Sequence, residues 1–163
     1  MRNLMFLIVL CLSVAVTSGI SSAEPRTYSA WVPWQVDSVV TAWLLKRYVH
    51  PGALFENVPR GTILSPERAL DTPASPYRRS GRHTAFEETL RIHKIHIACA
   101  DKLGPIVRML ELASWRKSEN PEAEKFELEL NRLMPQGPAK GGLDAAFSYI
   151  DQYCGNPGGK GKR

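Results

Sequence analysis

One stretch of this chain, Leu4 to Ile20, is apolar enough to enter a bilayer, and the sequence after it is mixed in polarity throughout. Arg2 supplies a positive start, Leu4 to Val16 a run that is short for a spanning helix, and Ser21-Ser22-Ala23 the small residues that signal peptidase accepts. Residues 1–23 are therefore predicted to be a signal peptide, with an uncleaved anchor as the alternative. Cys11 is not read as a lipid-attachment site, because the bulky Leu10 precedes it. Cleavage after Ala23 leaves about 140 residues, enough for a single compact domain that is periplasmic or secreted.

Composition narrows the partners. The chain is 44% hydrophobic and 23% charged, which argues against disorder and collagen-like repetition. Loss of Arg2 lowers the net charge from +5 to +4, a mild excess that is weaker than nucleic-acid binders concentrate on one face. Export also separates the chain from DNA, so small anions are the better match and no nucleic-acid partner is expected. Export leaves Cys99 and Cys154 as one pair in an oxidising compartment, where a disulfide and two packed thiols are both open readings.

The periodicity predicts a mainly α fold with a small β component. Tyr28 to Val32 and Ala53 to Val58 read as short strands, each closed by a proline. Between them, Val40, Trp43, Leu44 and Tyr48 form a helical stripe with Asp37 as N-cap, ended by Pro51-Gly52. Residues 60–81 carry few signs of regular structure and are long for a loop, which marks them as a place to look for a site. Thr84 with Glu87 three positions on is a capping box, and Phe86, Leu90 and His93 share a side of the helix it opens. After a break near His96, a second pattern runs through Leu103, Val107, Leu110 and Trp115, with Pro105 in its first turn or at a kink. Asn120-Pro121 starts a helix with Phe126, Leu130 and Leu133 on its buried face. The last helix, from Gly142 or Leu143, carries Ala146, Phe147, Ile150 and Cys154. Four or five helices result, in a domain over residues 28–154, followed by a flexible basic tail at 155–163.

Two clusters carry candidate chemistry. Arg78, Arg79, Arg82 and His83 stand directly before Thr84, where a helix N-terminus offers free N–H groups and a partial positive charge that match a tetrahedral dianion. Lys46 and Arg47 add to the field. The alternative is a solvated basic loop whose arginines pair with acids such as Glu87 and Glu88. His93, His96, Cys99 and Asp101 form a weaker metal set, weak because positions three and six residues apart on one helix diverge. No cofactor is otherwise expected. No catalytic residue can be named, since nucleophile elbow, phosphate loop and dinucleotide fingerprint are all missing. Asp37, Asp71 and Glu56 are acids or ligands by type alone. Trp31 and Trp34, flanking Pro33, either pack over the strands or border a pocket.

The run from Val36 to Phe55, with Asp37, Trp43-Leu44-Leu45, Lys46-Arg47, Tyr48 and Pro51 before a strand, resembles the chromate-resistance family with a ChrB C-terminal-type domain. Leu70-Asp71-Thr72-Pro73, the helix start at Thr84 to Leu90, and Tyr149-Ile150-Asp151-Gln152-Tyr153 in a closing helix agree with it. The resemblance spans Trp31 to Cys154. It implies an exported accessory protein that limits chromate accumulation by oxyanion binding or sensing, beside a chromate efflux transporter. Three positions depart from the pattern: Thr41-Ala42 replaces Cys-Pro, His50 replaces Asp, and Arg79 stands where a His is usual. The departures imply loss of any metal or redox chemistry held there, and the extra arginines suit an anion. The readings kept beside this one are a metal- or thiol-dependent, reductase-like periplasmic enzyme and an interaction module docking on a membrane partner through the long loop.

Overall fold

The computed structural model describes residues 25–134 and 142–155. The signal peptide expected at 1–23, and the tail beyond Gly155, lie outside the described residues. Within them the fold is mainly helical with a small sheet, as the periodicity predicts.

Strands β1 (Thr27–Trp31) and β2 (Leu54–Val58) pair in parallel, Thr27 opposite Leu54 and Trp31 opposite Val58. Parallel neighbours need a crossover, and helix α1 (Val36–Leu44) supplies it. Every residue of α1 is buried, its apolar majority in the core and its Asp37 and Ser38 side chains hydrogen-bonded. The helix loosens into a π-helical turn over Leu45–Val49, closed by the His50 N–H on the Leu45 carbonyl at 2.7 Å, before Pro51-Gly52 turns the chain into β2. The free edge of β1 is also used. Ser29 N–H donates to the Arg68 carbonyl at 2.7 Å, and Leu70 N–H to the Ser29 carbonyl at 3.0 Å. A strand-like contact thus lies inside the stretch that reads as irregular, three residues being too few for alternation to show.

Helices α2 (Ala85–His93), α3 (Ala100–Leu112), α4 (Pro121–Leu133) and α5 (Gly142–Tyr153) complete the fold. The Thr84 capping box opens α2 with both of its bonds, and the Asn120 side chain caps α4 through Ala123 N–H at 3.1 Å. Lys94 in the left-handed region stops α2, so His93, His96 and Cys99 do not share one helix. Trp115 is a correction. It lies outside α3 in a 3-10 segment, Ser114–Glu119, and is 78% exposed rather than part of the apolar stripe, because Ala113 ends the helix two residues earlier. Pro105 sits inside α3, beyond its first turn.

Trp43 of α1, Tyr28 of β1, Phe86 of α2, Phe126 of α4 and Ile150 of α5 are all but completely buried in one core. Asp151 anchors α5 to α1: it accepts from Trp43 Nε1 at 2.8 Å and pairs with Arg47 at 2.7 Å. Cys99, at the start of α3, is disulfide-bonded to Cys154 just past α5, across a Cα–Cα distance of 5.2 Å. The bridge closes a span of 55 residues, so loop-closure entropy sets its worth at about 4 kcal/mol, with measured bridges usually giving about 2–4. Urea titration of oxidised protein and of a Cys99→Ser/Cys154→Ser variant should differ by that amount; equal midpoints would show that the bridge contributes nothing.

Candidate functional site

The N-terminus of α2 already holds an anion, and the anion belongs to the protein. Gln35, not Asp37, is the N-cap of α1, which frees Asp37 in the first turn to point elsewhere. Its carboxylate, with no exposed surface, accepts from Ala85 N–H at 2.6 Å and Phe86 N–H at 2.8 Å. Thr84 N–H donates to Glu87 at 2.9 Å, and Glu87 N–H returns to the Thr84 hydroxyl at 3.2 Å. The donors expected to meet an external dianion at Thr84 are therefore taken, by the same attraction between helix end and negative charge that suggested them.

Arg79 is committed as well. Its guanidinium pairs with Asp71 at 2.8 Å, bonds Glu111 of α3 and the Gln35 side chain, and lies 3.9 Å from Asp37. Asp71 is held further by the Ser38 hydroxyl at 2.8 Å, and Glu111 by Asp37 N–H at 3.2 Å. One half-buried cation thus gathers three carboxylates from α1, α3 and the long loop. Burial, and then the neighbouring Asp71 carboxylate, push Asp37 up to about 7, against the pull of Ala85 and Phe86 N–H and of Arg79. Burial works against the charge on Arg79, but Asp71, Glu111 and Asp37 together hold it above its ordinary value.

Beside this hub opens a cleft of about 530 Å³, walled by Trp31 to Pro33, by Asp71 to Pro73, and by Arg60 and Arg78. The Val32–Pro33 peptide is cis. Trp31 faces the cleft and donates through Nε1 to the Thr62 carbonyl at 3.0 Å, whereas Trp34 is core, edge-on to Phe55. Arg78 donates to the Pro73 carbonyl at 3.1 Å and makes no ion pair among the described residues, though, after the hydrogen bond from Arg91, its charge helps hold the Glu88 carboxyl below its ordinary range; Arg60 makes no hydrogen bond or ion pair among them. The Thr72 hydroxyl is buried and without a hydrogen-bond partner there.

The other expected residues lie apart from the cleft. Lys46 donates to the Ala53 carbonyl at 2.6 Å, and Arg47 is bound to Asp151. Arg82 is exposed, its carbonyl taken by Arg108 at 3.0 Å, while His83 lines a shallow depression with Arg78, Glu88 and Arg91. The metal set does not assemble. Cys99 is bonded to Cys154, His96 and Asp101 are exposed, and His93 Nε2 is 2.9 Å from the Tyr77 hydroxyl. Among the described residues no group of three or more His, Cys, Asp or Glu side chains is placed to hold a metal ion. No helix among them is long and apolar enough to cross a membrane.

Sequence reasoning missed Glu111 and Arg60. Glu111 carries no local signal, being one acid on an amphipathic helix that meets Arg79 only through the packing of α3. Missed too was a pairing of tyrosines with histidines, Tyr28 with His50 at 2.8 Å and Tyr77 with His93, the two imidazoles meeting edge to face.

The family model described as ChrB, C-terminal domain, matches residues 29–154, which is most of the chain. The chain belongs to the ChrB C-terminal domain family. It is thereby a chromate-resistance-associated protein. Comparison with curated proteins and with solved structures gave no match. In this ChrB-family domain the segment Val36 to Phe55 is α1, its π turn and the start of β2, and Asp71-Thr72-Pro73 is a wall of the cleft. At the positions read above as departing from the resemblance, Thr41 is buried in α1 with a hydroxyl that has no partner among the described residues, His50 is bonded to Tyr28, and Arg79 is the hub.

Replacing Arg79 by Met leaves three buried carboxylates without their counter-charge, a loss of about 3–5 kcal/mol by analogy with other broken buried pairs. The sign with pH follows from Asp37. Its folded value of about 7 lies above its unfolded value, so its ionised form burdens the fold more as pH rises through that interval. The stability gap between wild type and Arg79→Met, read by urea denaturation, should be widest at alkaline pH and narrow as pH falls through about 7. A gap that is constant with pH would contradict the hub.

Proposed function

We propose that this ChrB-family domain limits chromate accumulation outside the cytosol by binding chromate or a similar oxyanion in the cleft beside Arg79, as the accessory of an efflux transporter. The observation that carries the reading is the pair Arg60 and Arg78, two guanidinium groups on one cleft that make no ion pair among the described residues, although Arg78 also acts on Glu88 on its other side. Guanidinium forks match tetrahedral oxyanions and lose little freedom in binding them. The acids of the hub do not cancel this attraction at the mouth. Asp37 and Glu111 are buried with Arg79 between them, and Asp71, its side chain 3% exposed, shares that cation and is the one acid of the three that lines the cleft. Arg60 and Arg78 thus face a single, partly compensated carboxylate. The thiol-dependent enzyme gains no support, since the sulfur of Cys99 is bonded to that of Cys154.

Calorimetry on residues 24–163 at low salt tests the reading. Chromate should bind, and an Arg60→Ala/Arg78→Ala variant should bind at least tenfold more weakly, since each charged hydrogen bond is worth about 1.5–3 kcal/mol. Silence of the wild type toward chromate, sulfate and phosphate alike would overturn it.

A further inference from the structure

Chromate and sulfate are tetrahedral dianions of similar size, so arginines alone cannot tell them apart. They differ in one respect. The second proton leaves chromate near neutral pH, as it does phosphate, whereas sulfate holds it only in strong acid. An oxyanion site that contains an acceptor with nothing to donate reads that difference directly.

We propose that Asp71 is such an acceptor, and that it makes the cleft selective for oxyanions that still carry a proton, hydrogen chromate and hydrogen phosphate among them, over fully ionised sulfate. The inference rests on the cleft being the oxyanion site. Asp71 lines it next to Arg60, Arg78 and Thr72. Its backbone is in the left-handed region at φ 46°, a conformation that Asp tolerates better than most residues and that holds the side chain at the hub. Both short bonds to Asp71, from the Ser38 hydroxyl and Arg79 Nη2, fall on Oδ2 at 2.8 Å. Among the described residues Oδ1 receives only Arg79 Nε at 3.4 Å, which leaves it with unspent capacity to accept. A carboxylate oxygen facing an oxyanion oxygen is repelled unless a proton lies between them, and hydrogen chromate brings that proton. The buried Thr72 hydroxyl, unpartnered among the described residues, can donate to a second oxygen of the same ligand. Sites built to bond a ligand hydroxyl reject the analogue lacking it more strongly than apolar pockets reject a missing methylene, because the acceptor is left facing charge.

The charged groups around Asp71 are Arg79 of its own loop, Asp37 of α1, Glu111 of α3, and Arg60 and Arg78 on the cleft walls. Titration of any of these moves chromate and sulfate affinity together, whereas protonation of the ligand moves chromate alone. The ratio of the two affinities is therefore the quantity to measure. It is read by calorimetry of the wild type with potassium chromate and with potassium sulfate at about pH 6 and about pH 8, and of Asp71→Asn at both. The wild type should favour chromate by more than about tenfold at the lower pH, a preference that falls toward unity at the higher as the protonated fraction of the ligand declines. Asp71→Asn, whose amide can donate, should gain sulfate affinity by about tenfold or more and lose the pH dependence of the ratio. A wild type that binds both anions with one ratio at both pH values overturns the inference and leaves the oxyanion reading standing, as does an Asn variant with unchanged preference. Binding of neither anion removes that reading and this inference with it. Should Asp71→Asn fail to fold, the wild-type ratio at the two pH values decides alone.

Discussion

The arrangement around the cleft depends on where the Asp37 carboxylate goes. By seating on Ala85 and Phe86 N–H it ties the first turn of α1 to the first turn of α2, joining residues 48 and 49 positions apart in the chain. A buried carboxylate is costly without partners, and here two backbone donors at a helix N-terminus offset part of that cost. With α2 fixed in that way, the loop before it must pass over α1, and Arg79 is drawn in as the counter-charge that Asp37, Asp71 and Glu111 share.

A consequence is a layered charge. Asp37, Asp71 and Glu111 have almost no exposed surface, while Arg79 is partly exposed and Arg60 and Arg78 border open space. Attraction inside the layer sets the shape of the loop, and what remains at its surface is cationic. The loop is long because it does two tasks: Arg68 to Leu70 extend the sheet along β1, and Asp71 to Arg79 build the cleft wall. The far end of α1 is tied down separately, by Trp43 and Arg47 on Asp151 of α5, and the bridge from Cys99 to Cys154 joins α5 in turn to the start of α3, so α1 is held at both ends of its length.

Local signals were legible wherever they acted within a few residues. The capping box at Thr84, the Asn120-Pro121 start and the two strands stand within a residue or so of where the sequence puts them, because each is decided by backbone donors nearby. The basic loop and the helix start at Thr84 were legible as adjacent features, but not what fills the helix end. Asp37 looks like a cap for its own helix, since an Asp near a helix start usually is one, and only the packing of α1 on α2 sends it to another. The same blindness hid Glu111, whose part is set by a contact at long range, and Arg60, which the path of the chain brings to the cleft. Trp115 shows the limit from the other side: its spacing continues the stripe of α3, yet the chain has left that helix before reaching it.

Arg79 holds the hub through a chemistry that a histidine in its place could not supply. An imidazole would offer at most two donors and would lose its charge near the pH at which Asp37 gains its proton. A guanidinium offers five donors in a fixed plane and stays charged, so one side chain can meet Asp71, Glu111 and Gln35 at once. The cation that gathers the three acids therefore keeps its charge while Asp37, pushed up to about 7, gains or loses its proton beside it, so what changes with pH is one of the acids and not the group that holds them together.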